Sequence, residues 1–495
     1  DYFDVKNDGN VNVTTMQRQP GSAFKPFAYA AAFEKGFTPE TMIFDLPTEF
    51  SSYSDECPIT NIDYSDERNI CYHPQNYDGK FRGPVDLRHS LAQSLNIPSV
   101  KTLYLAGIKE TIDLAKNTGI STLKKPSDHG LSLVLGAAEV KPLEMAGAYS
   151  VFANDGIKNE IASILKIENS KGEVLEEFKQ KNKQVLSQQT ARQITSILSD
   201  NPARTPVFGE NNYLHIENLP VAAKTGTTQD YKDAWVVGYT PDISVSVWVG
   251  NNNGDKILRS GAGISAAGPI WNKFIKQYSG KYAPKNNFIS PETSNTTKDV
   301  LSGNFESKKT IKIDTISKKL ATENTPLDLI GEVFLKEVHS ILYFIDKSNP
   351  LGDSPVNPEL DPQFLNWETP VLEWVNKQNE LGGNYNQSLP TETDNIHTKE
   401  NEPKITILSP QDNEIINLNY LTIKTSILTA FPIKQADFFI NDKLLGSLFK
   451  FPFELNYPTS QIKSLDNSSQ ILKVVVYDIY GNRKEEKINI FIPSF

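Results

Sequence analysis

The spacing of apolar residues changes twice along the chain, and each change limits the possible fold. From residue 1 to about 282, segments of helical period such as "HSLAQSLNIPSVKTLYLAG" alternate with segments of period two such as "ISVSVWVGNN". An apolar residue every three or four positions marks one face of a helix, and strict alternation marks a half-buried strand. Residues 1–282 are therefore predicted to form a large α+β domain.

The rest of the chain divides again near residue 403. Residues 283–403 are rich in Asn, Ser, Thr, Pro and Lys, with short apolar islands, which predicts a partly structured connector. Residues 404–495 contain short strand-like runs, such as "LTIKTSIL" and "ILKVVVYD", at turn-bounded intervals. This spacing predicts a C-terminal all-β sandwich of the Ig-like type.

Charge and hydropathy argue against a nucleic-acid-binding protein and against a membrane-spanning segment in this sequence. The 495 residues carry a formal net charge of −10 without a Lys/Arg-rich run, which argues against a nucleic-acid partner. No apolar run approaches the roughly 18 residues needed to cross a bilayer. The first residues are polar and lack both Met and a signal-peptide pattern, so we interpret Asp1 as a position inside a longer protein.

Cys57 and Cys71 are the only cysteines in the chain. With only His73 nearby, a zinc site would lack ligands, so a disulfide that closes a loop is the favoured interpretation. Two unpaired surface thiols are the alternative. A disulfide would imply an oxidising, extracytoplasmic compartment.

The stretch "QRQPGSAFKPFAYAAAFEKG" places Ser22 one helical turn before Lys25, at the start of an apolar helix. A serine hydroxyl becomes an effective nucleophile when a base removes its proton, and the i, i+3 spacing puts both side chains on one helical face. Lys25 is a candidate base if burial and neighbouring cations lower its pKa well below about 10.4. Alone, the pair fits a helix cap followed by a solvated lysine equally well.

Two further motifs follow in the chain. "SLAQSLNIPSV" contains Ser94-Leu95-Asn96, and "VAAKTGTTQDYKDAW" contains Lys224-Thr225-Gly226-Thr227 on an apparent strand, before a predicted hairpin around residues 240–242. Serine enzymes that act on penicillins carry S-x-x-K, S-D-N and K-T-G elements in this order. Here the middle element departs from S-D-N but keeps a hydroxyl and an amide two positions apart. Each motif alone fits a turn cap or an edge strand, whereas the ordered set favours a catalytic site.

Residues 1–280 resemble the transpeptidase domain of class A, bifunctional penicillin-binding proteins, on the segments "RQPGSAFKPFAYAAAFEKGFTPET", "YHPQNYDGKFRGPVDLRHSLAQSLNIPSVKTLYLAG", "LSLVLGAAEVKPLEMAGAYSVFANDGI" and "AAKTGTTQDYKDAWVVGYTP". The resemblance implies the penicillin-binding-protein/β-lactamase-like fold, an antiparallel sheet flanked by helices. It implies cross-linking of peptidoglycan stem peptides, covalent inhibition by β-lactams and a location at the outer face of the cytoplasmic membrane. It implies no metal and no organic cofactor.

The resemblance also gives each motif residue a role. Ser22 would attack the penultimate D-alanine carbonyl, Lys25 would take its proton, and Ser94 would pass a proton to the leaving amine. Backbone N–H groups of Ser22 and Thr227 would form the oxyanion hole. The residues that would bind substrate are Asn96, for the substrate amide, and Lys224, Thr225, Gly226 and Thr227, for the terminal carboxylate or the equivalent group of a β-lactam.

Departures from the family and other functions stay open at this point. Class A members carry a membrane anchor and a glycosyltransferase domain before the transpeptidase, and neither is in this chain. "DYFDVKNDGNVNVTT" resembles the second strand of the family's core sheet, so we expect the first strand to be missing. A serine β-lactamase, a D,D-carboxypeptidase and a non-catalytic cell-wall-binding module are the alternatives. Against a class A β-lactamase, no E-x-x-x-N element lies between Ser94 and Lys224.

Overall fold

The computed structural model describes residues 3–4, 6, 8–51, 54–65, 70–257, 262–282, 286–293, 296–416, 419–462 and 469–493. The chain forms two compact units, and neither is continuous in sequence. The first comprises Asp1–Ser307 and Val338–Tyr385, and the second comprises Lys308–Glu337 and Asn386–Phe495. Among the described helices, none combines the length and the apolar character that spanning a membrane requires.

The helices of the first unit, except the one at Gly263–Lys281, contribute to one hydrophobic core. Helix α1 is buried from Lys25 to Phe33, because Ala, Phe and Tyr occupy all of its faces. It ends at Glu34, and Gly36 follows with a φ of +108°, so the predicted apolar helix is confirmed. In chain order the helices are α1 (Lys25–Glu34), α2 (Leu87–Ala92), α3 (Asn96–Ala106), α4 (Ile108–Thr118), α5 (Pro142–Ala153), α6 (Gln188–Leu198), α7 (Asn201–Phe208), α8 (Gly263–Lys281), α9 (Ile341–Phe344) and α10 (Phe364–Glu380).

Short antiparallel strand pairs accompany these helices. They are β1 (Met42–Asp45) with β2 (Gly83–Asp86), β3 (Ile157–Asn159) with β6 (Asn182–Gln184), and β4 (Lys166–Glu168) with β5 (Val174–Glu177). A larger antiparallel sheet has the order β7 (Ala222–Thr227), β8 (Asp233–Tyr239) and β9 (Ser244–Gly250). The predicted hairpin is confirmed, because Thr240 N–H donates to the Ile243 carbonyl between β8 and β9.

Helices cover both faces of the β7–β8–β9 sheet, and the sequence alternates accordingly. Trp235, Val237 and Tyr239 on β8 point into the core shared with α1 and α5. The intervening Val236 packs with Trp271 of α8 in a second cluster. Side chains on a strand point alternately to opposite faces, so one strand serves two helical layers. The predicted α+β fold, an antiparallel sheet flanked by helices, is confirmed.

The second unit is rich in strands. A hairpin of β10 (Ser307–Asp314) and β11 (Ile330–Glu337) comes first. The strands that follow are β12 (Lys404–Ser409), β13 (Glu414–Ile415), β14 (Tyr420–Leu428), β15 (Ile433–Ile440), β16 (Lys443–Leu448), β17 (Glu454–Pro458), β18 (Ser469–Asp478) and β19 (Arg483–Phe491). They form one sheet in the order β12-β14-β17 and another in the order β13-β19-β18-β15-β16.

One core joins the two sheets of the second unit. Ile407 and Ile423 from the first sheet pack in the same cluster as Phe438, Val474 and Ile490 from the second. Two sheets that bury their inner faces against each other form a sandwich. The predicted all-β C-terminal region is confirmed, and its assignment to the Ig-like type stays a prediction.

Parts of the predicted connector, residues 283–403, belong to the first unit and other parts belong to the second unit. Helices α9 and α10 belong to the first unit, and the β10–β11 hairpin belongs to the second. Ile341 and Trp367 join the first unit's core. The apolar islands of this segment lie between polar stretches, so the sequence pattern did not show that they belong to two different units. The boundaries at residues 282 and 403 therefore stay predictions.

The opening segment departs from its expected strand. Its described residues form turns and a short 3-10 turn at Val13–Thr15, followed by an isolated bridge between Arg18 and Val140. The Asn12 side chain accepts hydrogen bonds from the backbone and the hydroxyl of Thr14. Asn, Asp and Gly favour such local turns over extended pairing. The resemblance of this segment to a sheet strand was wrong in the residues described here.

Candidate active site

Ser22 lies on a 3-10 turn, Gly21–Phe24, that leads directly into α1. Two buried side chains hold this turn: the Trp235 indole N–H donates to the Gln19 carbonyl at 2.8 Å, and the Tyr149 hydroxyl donates to the Ala23 carbonyl at 2.6 Å. The Ser22 side chain is half-buried, whereas its neighbours Gly21 and Ala23 are buried. The serine is therefore the partly accessible residue of an otherwise fixed turn.

Two glycines allow the Ser22 turn to pack directly against β7. Gly21 has a φ of +54°, and a Cβ added there would lie 2.5 Å from the Thr227 carbonyl oxygen. A Cβ added at Gly226 would lie 2.1 Å from the Pro20 carbonyl oxygen. Carbon and oxygen cannot approach so closely, so backbone meets backbone at both points. This contact brings the serine turn and the Lys-Thr-Gly strand together.

Lys25 is completely buried, and its ammonium group faces the loop between α2 and α3. Its Nζ donates to the Ser94 carbonyl at 2.7 Å, to the Leu95 carbonyl at 3.0 Å and to Asn96 Oδ1 at 2.8 Å. The Ser94 hydroxyl lies 3.5 Å from the same nitrogen. The lysine thus links the nucleophile's helix to the second motif, and Ser22 is not among its described hydrogen-bond partners.

The surroundings of Lys25 favour its neutral form. Burial lowers the pKa of Lys25 well below its ordinary value, and the positive charge of Lys224 lowers it further. The Asp45 carboxylate acts in the opposite direction and raises the pKa. The first two effects are larger, so the net shift of the Lys25 pKa is downward, which is the direction that a general base requires.

Ser94 connects the two buried lysines. Its backbone has a φ of +61°, an uncommon left-handed conformation for a serine, in the connection between α2 and α3. Its hydroxyl accepts a hydrogen bond from Lys224 Nζ at 2.7 Å and lies 3.5 Å from Lys25 Nζ. The order Lys25, Ser94, Lys224 is therefore a continuous path along which a proton can move.

Lys224 lies on β7 and is buried, with Nζ also donating to the Thr225 carbonyl at 3.1 Å. Burial lowers the pKa of Lys224 to about 7, and the nearby Arg204 guanidinium contributes to the decrease. Thr225 is buried beside it, and the half-buried Thr227 accepts a hydrogen bond from the Gly263 N–H at 3.0 Å. This end of β7 therefore presents a cation and hydroxyl groups next to the Ser22 turn.

Asn96 is the first residue of α3, and a polar network fixes it. Its Nδ2 donates to the Gln75 carbonyl at 2.7 Å, and its backbone N–H donates to Asn76 Oδ1 at 2.8 Å. Asn76 in turn donates to both oxygens of the buried Asp45, at 2.9 and 2.8 Å. The sequence reasoning missed Asp45, Asn76 and Arg204. The only sequence signal was the polar run "HPQNYDG" before a predicted helix.

The structure joins Cys57 and Cys71 in a disulfide, with their Cα atoms 5.5 Å apart. Between the two cysteines, residues 66–69 lie outside the described part of the chain. The next residue after the bridge, Tyr72, donates its N–H to Glu49 Oε1 at 2.9 Å. The disulfide therefore anchors a loop of the first unit.

Taken together, the structure places Lys25, Ser94, Asn96 and Lys224 in one hydrogen-bonded group. It places Ser22 at the start of the helix that carries Lys25, on a turn packed against β7. Such an arrangement can activate a hydroxyl, move a proton between two amines and bind an anion. These are the requirements of acyl transfer through a serine ester.

The chain is similar in sequence to known proteins of one family. A family model described as the penicillin binding protein transpeptidase domain matches residues 3–276, more than half of the chain. Penicillin-binding protein 1A of Aquifex aeolicus (strain VF5) is 35% identical over 276 residues, which cover 56% of this chain and 35% of that protein. Penicillin-binding protein 1A of Neisseria lactamica is 33% identical over 268 residues, which cover 53% of this chain and 32% of that protein. The chain thus spans about a third of the length of these relatives.

The chain is also similar to solved structures. The structure of penicillin-binding protein 1A from Haemophilus influenzae is 24% identical in sequence and superposes with a TM-score of 0.48. The aligned region covers 66% of this chain and 49% of the H. influenzae chain. The structure of PonA1 from Mycobacterium tuberculosis in complex with penicillin V is 25% identical in sequence, with a TM-score of 0.45. The aligned region covers 59% of this chain and 75% of the PonA1 chain. The family model matches across all three sequence motifs. The chain belongs to the penicillin-binding protein transpeptidase family.

Proposed function

We propose that the chain is a peptidoglycan D,D-transpeptidase that cross-links stem peptides through an ester on Ser22. Ser22 Oγ attacks the carbonyl carbon of the penultimate D-alanine, the peptide C–N bond breaks, and the terminal D-alanine leaves. The amine of a neighbouring stem peptide then attacks the ester, forms the new peptide bond and releases the serine. A β-lactam carbonyl enters the same first step and gives a long-lived ester.

One observation carries this proposal: Ser94 Oγ lies between Lys224 Nζ at 2.7 Å and Lys25 Nζ at 3.5 Å. Lys25 takes the proton of Ser22, and the proton reaches the leaving amine through the Ser94 hydroxyl. Ser94 is a suitable relay because a hydroxyl accepts one proton while it donates another. The lowered pKa of Lys25 supports its role as the base.

The substrate's charged end is assigned to β7. Lys224, with the Thr225 and Thr227 hydroxyl groups, binds the terminal carboxylate or the equivalent group of a β-lactam, and Gly226 allows the strand to lie close to the serine turn. Asn96 binds the substrate amide. The backbone N–H groups of Ser22 and Thr227 stabilise the oxyanion, and each such donor contributes roughly 3 kcal/mol in the transition state.

The remaining features of the whole protein are proposals from the resemblance to class A members. We place the chain outside the cytoplasm, at the outer face of the cytoplasmic membrane, in a protein that also carries a glycosyltransferase domain and a membrane anchor. The Cys57–Cys71 disulfide supports an oxidising compartment. The reaction requires no metal or organic cofactor.

Mass spectrometry of the intact protein with benzylpenicillin tests the proposed function. We expect one penicillin mass per chain, mapped to the peptide that contains Ser22 and lost in Ser22→Ala. Ser150→Ala is the matched control, because its hydroxyl donates only to the Gly147 carbonyl of its own helix. Undiminished labelling of Ser22→Ala would refute the assignment, and rapid hydrolytic release of the label would favour a β-lactamase.

A further inference from the structure

Three buried titratable side chains meet in the second unit. Asp314 is the last residue of β10, and Asp394 and His397 precede β12. Their exposed fractions are 0%, 3% and 1%, and one oxygen or nitrogen of each lies within 4.8 Å of those of the other two. Two carboxylates and an imidazole so far from water require partners.

The His397 ring is held in one orientation. Its Nε2 donates to the Tyr480 carbonyl at 3.0 Å, so this nitrogen carries a proton. The other ring nitrogen, Nδ1, faces Asp394 Oδ2 at 2.6 Å and Asp314 Oδ1 at 3.8 Å. An imidazole that donates one N–H to a backbone carbonyl and turns its other nitrogen towards carboxylates has the typical orientation of a metal ligand.

Asp314 provides a second, independent observation. Its Oδ2 accepts a hydrogen bond from the Ser317 N–H at 2.5 Å, whereas its Oδ1 is buried and has no hydrogen-bond partner among the described residues. This oxygen is the one that faces His397 Nδ1. A buried carboxylate oxygen without a partner is costly, and a cation in front of it would satisfy it.

Charge balance favours a divalent cation at this place. The two carboxylates of Asp314 and Asp394 together carry a formal charge of −2. No described lysine or arginine forms an ion pair with either Asp314 or Asp394. A divalent cation that replaces the Nδ1 proton brings the net charge of the group to zero and satisfies Asp314 Oδ1.

We propose that Asp314, Asp394 and His397 bind one structural zinc ion through Asp314 Oδ1, Asp394 Oδ2 and His397 Nδ1. One nitrogen and two carboxylate oxygens suit zinc, whereas Ca²⁺ and Mg²⁺ prefer oxygen ligands alone. Binding replaces the 2.6 Å hydrogen bond between His397 Nδ1 and Asp394 Oδ2, so the two atoms move apart to admit the ion and the Nδ1 proton is released to solvent. The ion joins the β10–β11 hairpin to the segment before β12 and, through Tyr480, to the turn between β18 and β19.

Thr325 supports the site from outside the ligand set. Its buried hydroxyl donates to Asp394 Oδ2 at 2.8 Å, and the Ile396 N–H donates to Asp394 Oδ1 at 2.9 Å. These two bonds fix the plane of the carboxylate. Removal of such a supporting group lowers metal affinity by about 10–100-fold.

Zinc titration of the full chain tests the proposal. The tag-free protein is stripped with a chelator, dialysed and titrated with zinc chloride by calorimetry in buffers of different protonation enthalpy. We expect one zinc per chain, release of a proton and a melting temperature that rises with zinc concentration. Asp314→Asn and His397→Gln should lose this ion, and Thr325→Val should bind it about 10–100-fold more weakly.

His339→Gln is the matched control, because His339 pairs with the single carboxylate of Glu368 at 2.6 Å. This variant should bind zinc like the wild type. The proposal is overturned if the stripped wild-type chain takes up no zinc, or if Asp314→Asn and His397→Gln bind it as the wild type does. The wild-type titration decides the question even if a ligand variant fails to fold.

Discussion

Lys25 and Lys224 are buried lysines on either side of one hydroxyl, and the proposed reaction needs them in opposite states. Lys25 must be neutral to accept the Ser22 proton, while Lys224 must be charged to bind a carboxylate. Repulsion between the two charges disfavours the doubly protonated pair, and burial, the largest cause, lowers the pKa of Lys25 well below its ordinary value. We therefore expect Lys25 to lose its proton before Lys224 as the pH rises. The active form therefore exists in the pH interval between the two deprotonations.

The first prediction is a bell-shaped pH dependence of the second-order rate constant of acylation by a penicillin. The rate should rise as Lys25 loses its proton and fall near pH 7, where the pKa of Lys224 lies. In Lys224→Arg the falling limb should disappear, because a guanidinium stays charged throughout this range. A falling limb at the same pH in Lys224→Arg would contradict the role of Lys224.

Asn76 carries the second prediction, because its side chain joins Asp45 to the backbone of Asn96. Asn76→Ala leaves the buried Asp45 carboxylate without this donor and frees the start of α3. We expect a loss of roughly 1–3 kcal/mol in the free energy of unfolding, together with slower acylation.

Asn366→Ala is the control for Asn76→Ala. Asn366 is also buried, and its Nδ2 donates to the carbonyls of Glu49 and Ser51 at 2.7 and 3.0 Å. It should lose similar stability, measured by urea unfolding, and acylate at the wild-type rate. Equal slowing in both variants would mean that Asn76 affects acylation only through stability.

The sequence identified the residues that belong to compact motifs and missed those that act across the fold. Ser22, Lys25, Ser94 and Lys224 stand in short patterns whose spacing implies chemistry. Asn76 and Asp45 come from a loop and a short strand, and their contact joins positions 31 residues apart. No periodicity links such positions, because only tertiary packing brings them together.

At the scale of single elements, α3 contains a buried lysine that takes no part in the proposed reaction. Lys101 is 1% exposed, donates to the Phe44 carbonyl at 2.9 Å and lies over the Trp367 ring. Burial lowers the pKa of Lys101 to about 7, and Asp45 opposes this shift. The helix therefore keeps an ionisable group where an apolar side chain would fit.

The third prediction follows from this shift. Between pH 7 and about 10.4 the unfolded chain holds a proton on Lys101 that the folded chain has lost, so Lys101 makes stability rise with pH across that interval. Lys101→Met should reduce the slope by at most about 1.4 kcal/mol per pH unit. Urea unfolding at several pH values measures the slope, and the exposed Lys109→Met is the control.

The Cys57–Cys71 disulfide gives a fourth prediction. It closes a loop with a sequence separation of 14, and by chain entropy such a closure stabilises a fold by about 3 kcal/mol. Cys57→Ser with Cys71→Ser should therefore lower the free energy of unfolding by up to this amount. An unchanged free energy would show that the loop is already ordered in the unfolded chain or that the bridge is strained.

For the whole molecule, the sequence patterns indicated both large cores, whereas the boundaries of the segment between them stay predictions. The second core lies within residues 404–495 and includes Ile423, Phe438 and Val474, which occupy alternating strand positions. Period-two patterns are visible in sequence, so the sandwich was predictable. The assignment of α10 to one unit and β10 to another depends on long-range contacts, and no local pattern encodes those.

A fifth prediction tests the sandwich as a domain. Residues 404–495 expressed alone should give a dispersed, β-type NMR spectrum, because this segment contains both sheets and their shared core. Phe438→Ala, which removes a fully buried ring, should unfold the fragment or destabilise it by roughly 3–5 kcal/mol. A collapsed, undispersed spectrum of the unaltered fragment would contradict this prediction.

Each unit is built from two separate segments of the sequence, and this affects the order in which the parts of each unit are synthesised on the ribosome. The β10–β11 hairpin is made before α9 and α10, so it emerges while the first unit is still incomplete. Asp314 precedes His397 by 83 positions in the sequence, and at about 5–20 residues per second the ribosome needs roughly 4–17 s to synthesise this stretch. A hairpin forms in microseconds, so β10 and β11 can pair long before their own unit exists. An isolated two-stranded hairpin is marginally stable at best in water, so this hairpin gains lasting stability only once the ribosome has made the rest of its unit.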